Sequence, residues 1–365
     1  MAAKPDTFED WYVQSSYQEF VRREGAPLYE GSAIEDLNSL ELADWERRGG
    51  KVAYTRLGNH EDYNLQIVEI PPQGALKPER HMYDAVMYVM KGKGATTIWQ
   101  EGEPKHTVEW GEGALLTMPL NAWHQEFNAS GEEPVKLLFG TNMAHVLNLY
   151  HNLDYIFNNP YVFTDRYSYY MQHFFTDPGK HWNLRLYETN FIPDIRQFPL
   201  DTYPERGIQT SIMRLSMAST SIGMHVMSVS EGTYATAHRH QAGAHVIVVE
   251  GSGYELMFMP NEIDNPRKYR ACPYAVVAPR LNEYHQHFNS GKGNYKMLAF
   301  RGHSLRYGIG ETYDPNATAY DDDPNSWSYK ISYAKENPKI REDYWQELEK
   351  SGVTLRLQPV DQGRG

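Results

Sequence analysis

The stretch HMYDAVMYVMKG at residues 81–92 returns as HQAGAHVIVVEG at residues 240–251, a constant 159 residues further on. Both begin with histidine, run through an apolar core and end in glycine, the pattern of a buried strand closed by a tight turn. Gly94 and Gly253 keep the same offset. A second pair, LNAWHQEFN at 120–128 and LNEYHQHFN at 281–289, is offset by 161. Self-similarity on this scale marks a duplicated domain, and the period is too long for a solenoid repeat. Two whole units of one fold are therefore expected.

Short strand-like runs surround both copies. NLQIVEI, VMYVM, ATTIWQ, ALLTM and VKLLFG belong to the first set, and SIGMHVMSV, HVIVV, YELMFM, YAVVAP and YKMLAF to the second. Runs this short, evenly spaced between turns, predict antiparallel sandwiches or barrels rather than βαβ units. The expected plan is all-β, with two tandem jelly-roll barrels and flanking helices. Residues 1–49 form an N-terminal helical extension, 50–145 the first unit, 146–204 a connector, 205–305 the second unit, and 306–365 a C-terminal extension with a helix. Residues 7–24 carry an apolar stripe of Phe8, Trp11, Tyr12, Tyr17, Phe20 and Val21, with Thr7 as cap. Residues 337–351 open near Pro338 and place Tyr344, Trp345 and Leu348 on one face. The connector is rich in Tyr, Phe and Asn, so it is read as packed rather than disordered.

Composition excludes several functions. Across 365 residues, 35 Lys and Arg face 47 Asp and Glu, a net charge of −12. Nucleic acid and anionic membrane surfaces both need a basic face, so neither is expected as partner. The single cysteine, Cys272, allows no internal disulfide and points to a reducing compartment. No apolar run approaches the ~18 residues of a membrane span, and the opening residues lack a secretory apolar core. A cytoplasmic protein is expected. The sequence has no GxSxG elbow, P-loop or HExxH helix, and Gly251-Ser-Gly253 reads as a hairpin turn.

Histidine carries the chemistry. His238 and His240 are alternate residues of one strand-like run and point to the same side. His285, 45 residues after His240, can join them from a neighbouring strand. Three inward imidazoles suit a divalent transition metal. His287 and Asn289 share the parity of His285. His245 faces inward only if a bulge interrupts the strand; strict parity turns Ala244 inward instead. Arg301 ends the YKMLAFR run, at the unit's rim or against a substrate carboxylate. Tyr254 and Tyr284 are candidate pocket residues, although parity opposes Tyr284. In the first copy the equivalent positions hold Glu79, His81 and His124, a vestige of the site or a two-histidine, one-carboxylate set.

Gly232-(x5)-His238-x-His240, Gly251 and His285-x3-Asn289 resemble the two motifs of the cupin superfamily. The duplication makes the chain similar to a bicupin over about residues 50–145 and 205–305. The HRH and HQHFN stretches most resemble the gentisate and salicylate 1,2-dioxygenase type. That resemblance implies one iron(II) per chain on His238, His240 and His285, with His287 as a catalytic group and Asn289 close behind. It also implies a small hydroxylated aromatic or related chelating substrate, with dioxygen as co-substrate. Two departures stand out: the full histidine set lies in the second unit, and the family's glutamate ligand is missing. His245 as a fourth ligand favours instead an isomerase, lyase or decarboxylase using manganese, nickel or zinc. A ligand-binding bicupin without turnover is the third reading. Bicupins often assemble through edge strands and terminal helices, so a homo-oligomer using the N-terminal helix is expected.

Overall fold

The computed structural model describes residues 15–183, 185–240, 243–309 and 329–357. The expected helix over 7–24 is seen as Ser16–Arg23, capped by the Ser15 hydroxyl, which accepts from the Gln18 backbone N–H. Its predicted start, with Thr7, Phe8, Trp11 and Tyr12, lies outside the described residues.

Each half of the chain forms a large and a small sheet, antiparallel except where Leu28–Gly31 runs parallel to Lys51–Leu57 and Leu186–Glu188 parallel to Thr210–Ser216. In the first, the large sheet runs in the order Leu28–Gly31, Lys51–Leu57, Asn64–Ile70, Val135–Thr141, Ala85–Lys91, Leu115–Met118 and Phe191–Ile192, with Ala43–Asp44 beside Lys51–Leu57. The small sheet is Trp123–Asn128, Gly94–Trp99 and His106–Trp110. The second half repeats this plan. Its large sheet orders Thr210–Ser216, Gly223–Val229, Tyr295–Arg301, His245–Glu250 and Val276–Val277, and its small sheet orders Arg267–Ala271, Gly253–Phe258, Tyr284–Asn289, Ala237–Arg239 and Tyr329–Ile331. Neither pair closes into a ring; both are jelly-roll sandwiches. Alternation explains the layers. Met227, Val246, Val248 and Met297 face inward onto Met257 and Ala271, filling the second sandwich. The intervening Val226, Ile247, Val249 and Leu298 face out and meet Ile67, Val86, Tyr88 and Leu138 of the first half. The two large sheets thus share a core, back to back.

The halves also exchange strands. Ala33–Ile34, from the segment before the first unit, pairs with Val276–Val277 of the second. Phe191–Ile192, from the connector before the second unit, pairs with Leu115–Leu116 of the first. Both extensions are therefore structural parts of the sandwiches, and the connector is packed as expected.

The helices are lids. Tyr17, Phe20 and Val21 bury into the first sandwich, and Tyr17 Oη donates to the Thr55 carbonyl at 2.9 Å. The described part of the expected apolar stripe, Tyr17, Phe20 and Val21, is thus covered by the chain's own first unit. Pro338–Ser351 is capped by Asn337 and ends on Gly352 at φ 66°. It seats Ile340, Tyr344 and Leu348 on the outer face of the second small sheet. Trp345 falls off this face and is 55% exposed, because the helical turn carries it about 100° away from Tyr344. No helix among the described residues is long and apolar enough to cross a membrane.

Candidate metal centre

Two strands of the second small sheet bring the histidines together. His238, in the middle of Ala237–Arg239, pairs directly with His285 of Tyr284–Asn289. His240 follows two residues later, on the same side. The ring centroids are 3.8 Å apart for His238 and His285, 5.0 Å for His240 and His285, and 5.4 Å for His238 and His240. One ligand atom from each ring lies within 4.8 Å of the other two.

The donor set fits a transition metal. His238 Nδ1–H donates to the His285 carbonyl at 3.1 Å, and His285 Nδ1–H to the Glu283 carbonyl at 3.4 Å. Backbone acceptors of this kind fix the tautomer and leave Nε2 its lone pair. Burial holds both imidazoles well below their usual range. Arg206 and the neighbouring imidazoles push His238 further down; His287, Arg206 and Arg301 do the same to His285. Neutral imidazoles are the form that binds metal.

His287 stands beside the trio, its ring 5.6 Å from His285 and 6.1 Å from His238. Its Nδ1 lies 2.5 Å from Glu255 Oε2, and Tyr295 Oη donates to Glu255 Oε1 at 2.6 Å. Glu255 and Tyr295 are fully buried. Sequence reasoning missed this carboxylate, although Glu255 shares the strand face of the inward Met257. Arg301 continues the inward face of Met297 and Ala299 and pairs with Gly223. Its charge, with those of Arg206 and Arg214, also depresses the His225 imidazole, after the larger effect of burial. Arg206 and Arg301 thus place positive charge near His225 and His285. His225 had a weak signal, as the polar position among the inward residues of GMHVMSV; Arg206 had none.

Three expected residues are placed elsewhere. His245 faces the seam between the halves, where Nε2 meets the Leu57 carbonyl at 3.4 Å and the ring packs 4.4 Å from Tyr63. Ala244 takes the inward place, in the core of the second sandwich. Tyr254 lies on the outer face, its ring stacked 4.4 Å from Phe288 beneath the C-terminal helix. Alternation with inward Glu255 requires it. Asn289 is consumed by a turn: Nδ2 donates to the Val229 and Gly293 carbonyls, and Oδ1 accepts from Gly291 N–H. Asn128 clamps the equivalent turn of the first unit through Ile70, Pro71, Glu133 and Ser130. Tyr284 packs on Phe258, away from His285, as parity required.

In the first unit, Glu79, His81 and His124 also come within 4.8 Å of one another. Their surroundings differ: Glu79 is paired with Arg47 and Arg48.

Residues 66–140 match the cupin domain family. Compared by sequence with curated proteins, the chain has no match. Among solved structures it is similar to an oxalate decarboxylase, at 14% identity over 74% of this chain and 77% of that one, with a TM-score of 0.50. It is also similar to the 7S globulin of Momordica charantia, at 14% identity over 74% and 83%, TM-score 0.46. A third is the salicylate 1,2-dioxygenase of Pseudaminobacter salicylatoxidans, at 14% identity over 66% and 71%, TM-score 0.49. The fold is that of a bicupin, two tandem cupin sandwiches with flanking helices.

Proposed function

We propose that the chain is a metal-dependent enzyme centred on His238, His240 and His285, and that with iron(II) it acts as a dioxygenase on a small hydroxylated aromatic or related acidic chelator. The observation that carries this reading is the placement of His245. Turned into the seam, it leaves a neutral three-histidine set rather than four ligands. Three ligands leave positions for a two-oxygen chelate and for dioxygen; four favour the non-redox manganese, nickel or zinc chemistries. When bound, iron(II) supplies Lewis acidity and the electrons that dioxygen chemistry needs.

The chain's own residues do the rest. Arg301, with Arg206 behind the histidines, favours an anionic substrate and orients its carboxylate. Glu255 accepts from His287 Nδ1–H, so Nε2 carries the lone pair that takes a proton from a substrate hydroxyl. Tyr295 Oη donates to the same carboxylate and keeps it fixed. Met227, Met257 and Met297 line the interior and exclude water. The unit boundaries expected from the sequence, a cytoplasmic location and a homo-oligomer belong to the same proposal.

The test is metal analysis of anaerobically purified protein with oxygen uptake on a panel of hydroxylated aromatic acids. About one iron per chain and substrate-dependent uptake support the reading. Manganese, nickel or zinc without uptake moves it to the isomerase, lyase or decarboxylase class, and a metal-free folded protein to a binding module.

A further inference from the structure

The first unit repeats the motif positions of the second but answers them with different charges. His81 Nε2 and His124 Nε2 lie 3.2 Å apart, their lone pairs turned to the same point that a metal would take. Their other nitrogens are taken. His81 Nδ1 donates to the Tyr83 carbonyl at 2.7 Å and His124 Nδ1 to Glu126 Oε1 at 2.6 Å.

The third member, Glu79, is fully engaged. Arg48 Nη1 donates to Glu79 Oε1 at 2.6 Å, and Arg47 Nη1 donates to Glu79 Oε2. Arg48 Nη2 continues to Glu126 Oε2, also at 2.6 Å. One buried guanidinium therefore joins the two carboxylates that flank the imidazole pair, in the fork geometry arginine favours. Burial raises Glu126, but His124 and Arg48 outweigh it and hold the carboxyl down at about 2.

Both arginines come from one turn, Trp45–Gly50, just before the strand Lys51–Leu57. That turn is fastened to the N-terminal helix: Glu24 accepts from Trp45 Nε1 at 2.5 Å and from Arg47 Nε at 3.0 Å. The Arg47 guanidinium also lies 4.7 Å from the Phe157 ring centroid. The space left between Arg48, Glu79, His81 and His124 is only about 10 Å³, room for one water and for no substrate.

We propose that Arg47 and Arg48 occupy the charge position of a metal in the first unit, so that the Glu79–His81–His124 group is a divalent-cation site kept shut by the chain's own guanidinium groups. Arg48 already pairs with both Glu79 and Glu126, and Arg47 is shared between Glu79 and Glu24. A divalent cation entering beside them adds two buried charges with no counter-charge, which is strongly disfavoured. Removing the arginines leaves two buried carboxylates and two imidazoles, a charge and donor set suited to one divalent cation. The first unit is thereby held together without metal, and the second unit alone remains open.

Cobalt(II) titration of the full-length, metal-stripped protein tests this by equivalents bound, read from visible absorbance and elemental analysis. The expected result is that R47A/R48A binds one equivalent more than the wild type, and that adding His124→Ala removes that extra equivalent. A folded R47A/R48A with the wild-type stoichiometry overturns the proposal. Should that variant not fold, His124→Ala alone decides. Unchanged stoichiometry relative to wild type is expected, and loss of one equivalent shows the site open and overturns it. The readout is a difference from wild type, so it holds whether or not the second unit binds iron.

Discussion

Glu255 Oε2 and His287 Nδ1 lie 2.5 Å apart inside the second unit, with Tyr295 Oη on the carboxylate's other oxygen. The contact sets which nitrogen of His287 faces the three-histidine cluster. In Glu255→Gln the amide can present its NH2 to Nδ1 and favour the opposite tautomer. Turnover should fall by about 10–100-fold, the usual cost of losing a carboxylate behind a working imidazole, with metal content unchanged. Loss of metal together with activity would instead assign Glu255 to holding the centre.

His240→Ala removes one of the three proposed ligands, from the half-buried end of the site. The variant should lose its metal and keep its far-ultraviolet circular dichroism, because the first unit's core does not involve the site. The wild type should lose stability on chelation. At free metal ~100-fold above Kd the loss is about 2.7 kcal/mol, measured by denaturant unfolding with and without chelator. Full metal retention in His240→Ala would contradict the ligand assignment.

Arg301 faces inward at the end of its strand, and its charge reaches His285. Losing a charged hydrogen bond costs ~1.5–3 kcal/mol, so Arg301→Gln should raise KM for a carboxylate substrate at least about tenfold. The neutral amide of the same substrate should show little change. Equal effects on both would argue against a carboxylate contact.

His245 gives a pH dependence independent of metal. Burial is the main cause holding its imidazole down at about 3, with His60 adding to it. Its unfolded value is ~6.5. Below pH ~6.5 the unfolded chain binds a proton that the folded chain refuses, so stability falls as pH drops, by up to ~1.4 kcal/mol per unit for this group. Above that pH the contribution is flat. His245→Gln should unfold with a shallower pH dependence between pH 6.5 and 4.5; an unchanged slope would show that His245 takes its proton in the folded state.

The C-terminal helix is held by Tyr344, whose single Oη–H lies between the Thr233 and Asn289 carbonyls, 2.8 and 2.6 Å away. Tyr344→Ala should destabilise by about 3–5 kcal/mol, seen in the denaturation midpoint. A shift below 1 kcal/mol, an order of magnitude set by surface substitutions, would mean that the helix does not brace the second sheet.

The duplication and the second-unit trio were legible because they rest on period-2 alternation and on spacing, both local properties of the chain. What lay beyond the sequence depends on long-range placement. Two-residue strands such as Ala33–Ile34 and Phe191–Ile192 carry no pattern, so their exchange between the halves left no trace. Alternation says that Tyr254 and Glu255 face opposite ways but not which faces in; the C-terminal helix decides that. His245 and Ala244 present the same ambiguity, resolved by the seam between the large sheets. Arg47 and Arg48 carry no local signal in the sequence, since the Arg48 partners Glu79 and Glu126 lie 31 and 78 residues away.

The central claim is a three-histidine iron centre in the second unit that consumes dioxygen. Its most direct test is anaerobic iron(II) reconstitution of the wild type and of His240→Ala, followed by oxygen uptake with hydroxylated aromatic acids. The account predicts about one iron per chain and substrate-dependent uptake in the wild type, and neither in the variant. Iron retained by His240→Ala, or a fully loaded wild type that consumes no oxygen with any acid of the panel, would contradict it.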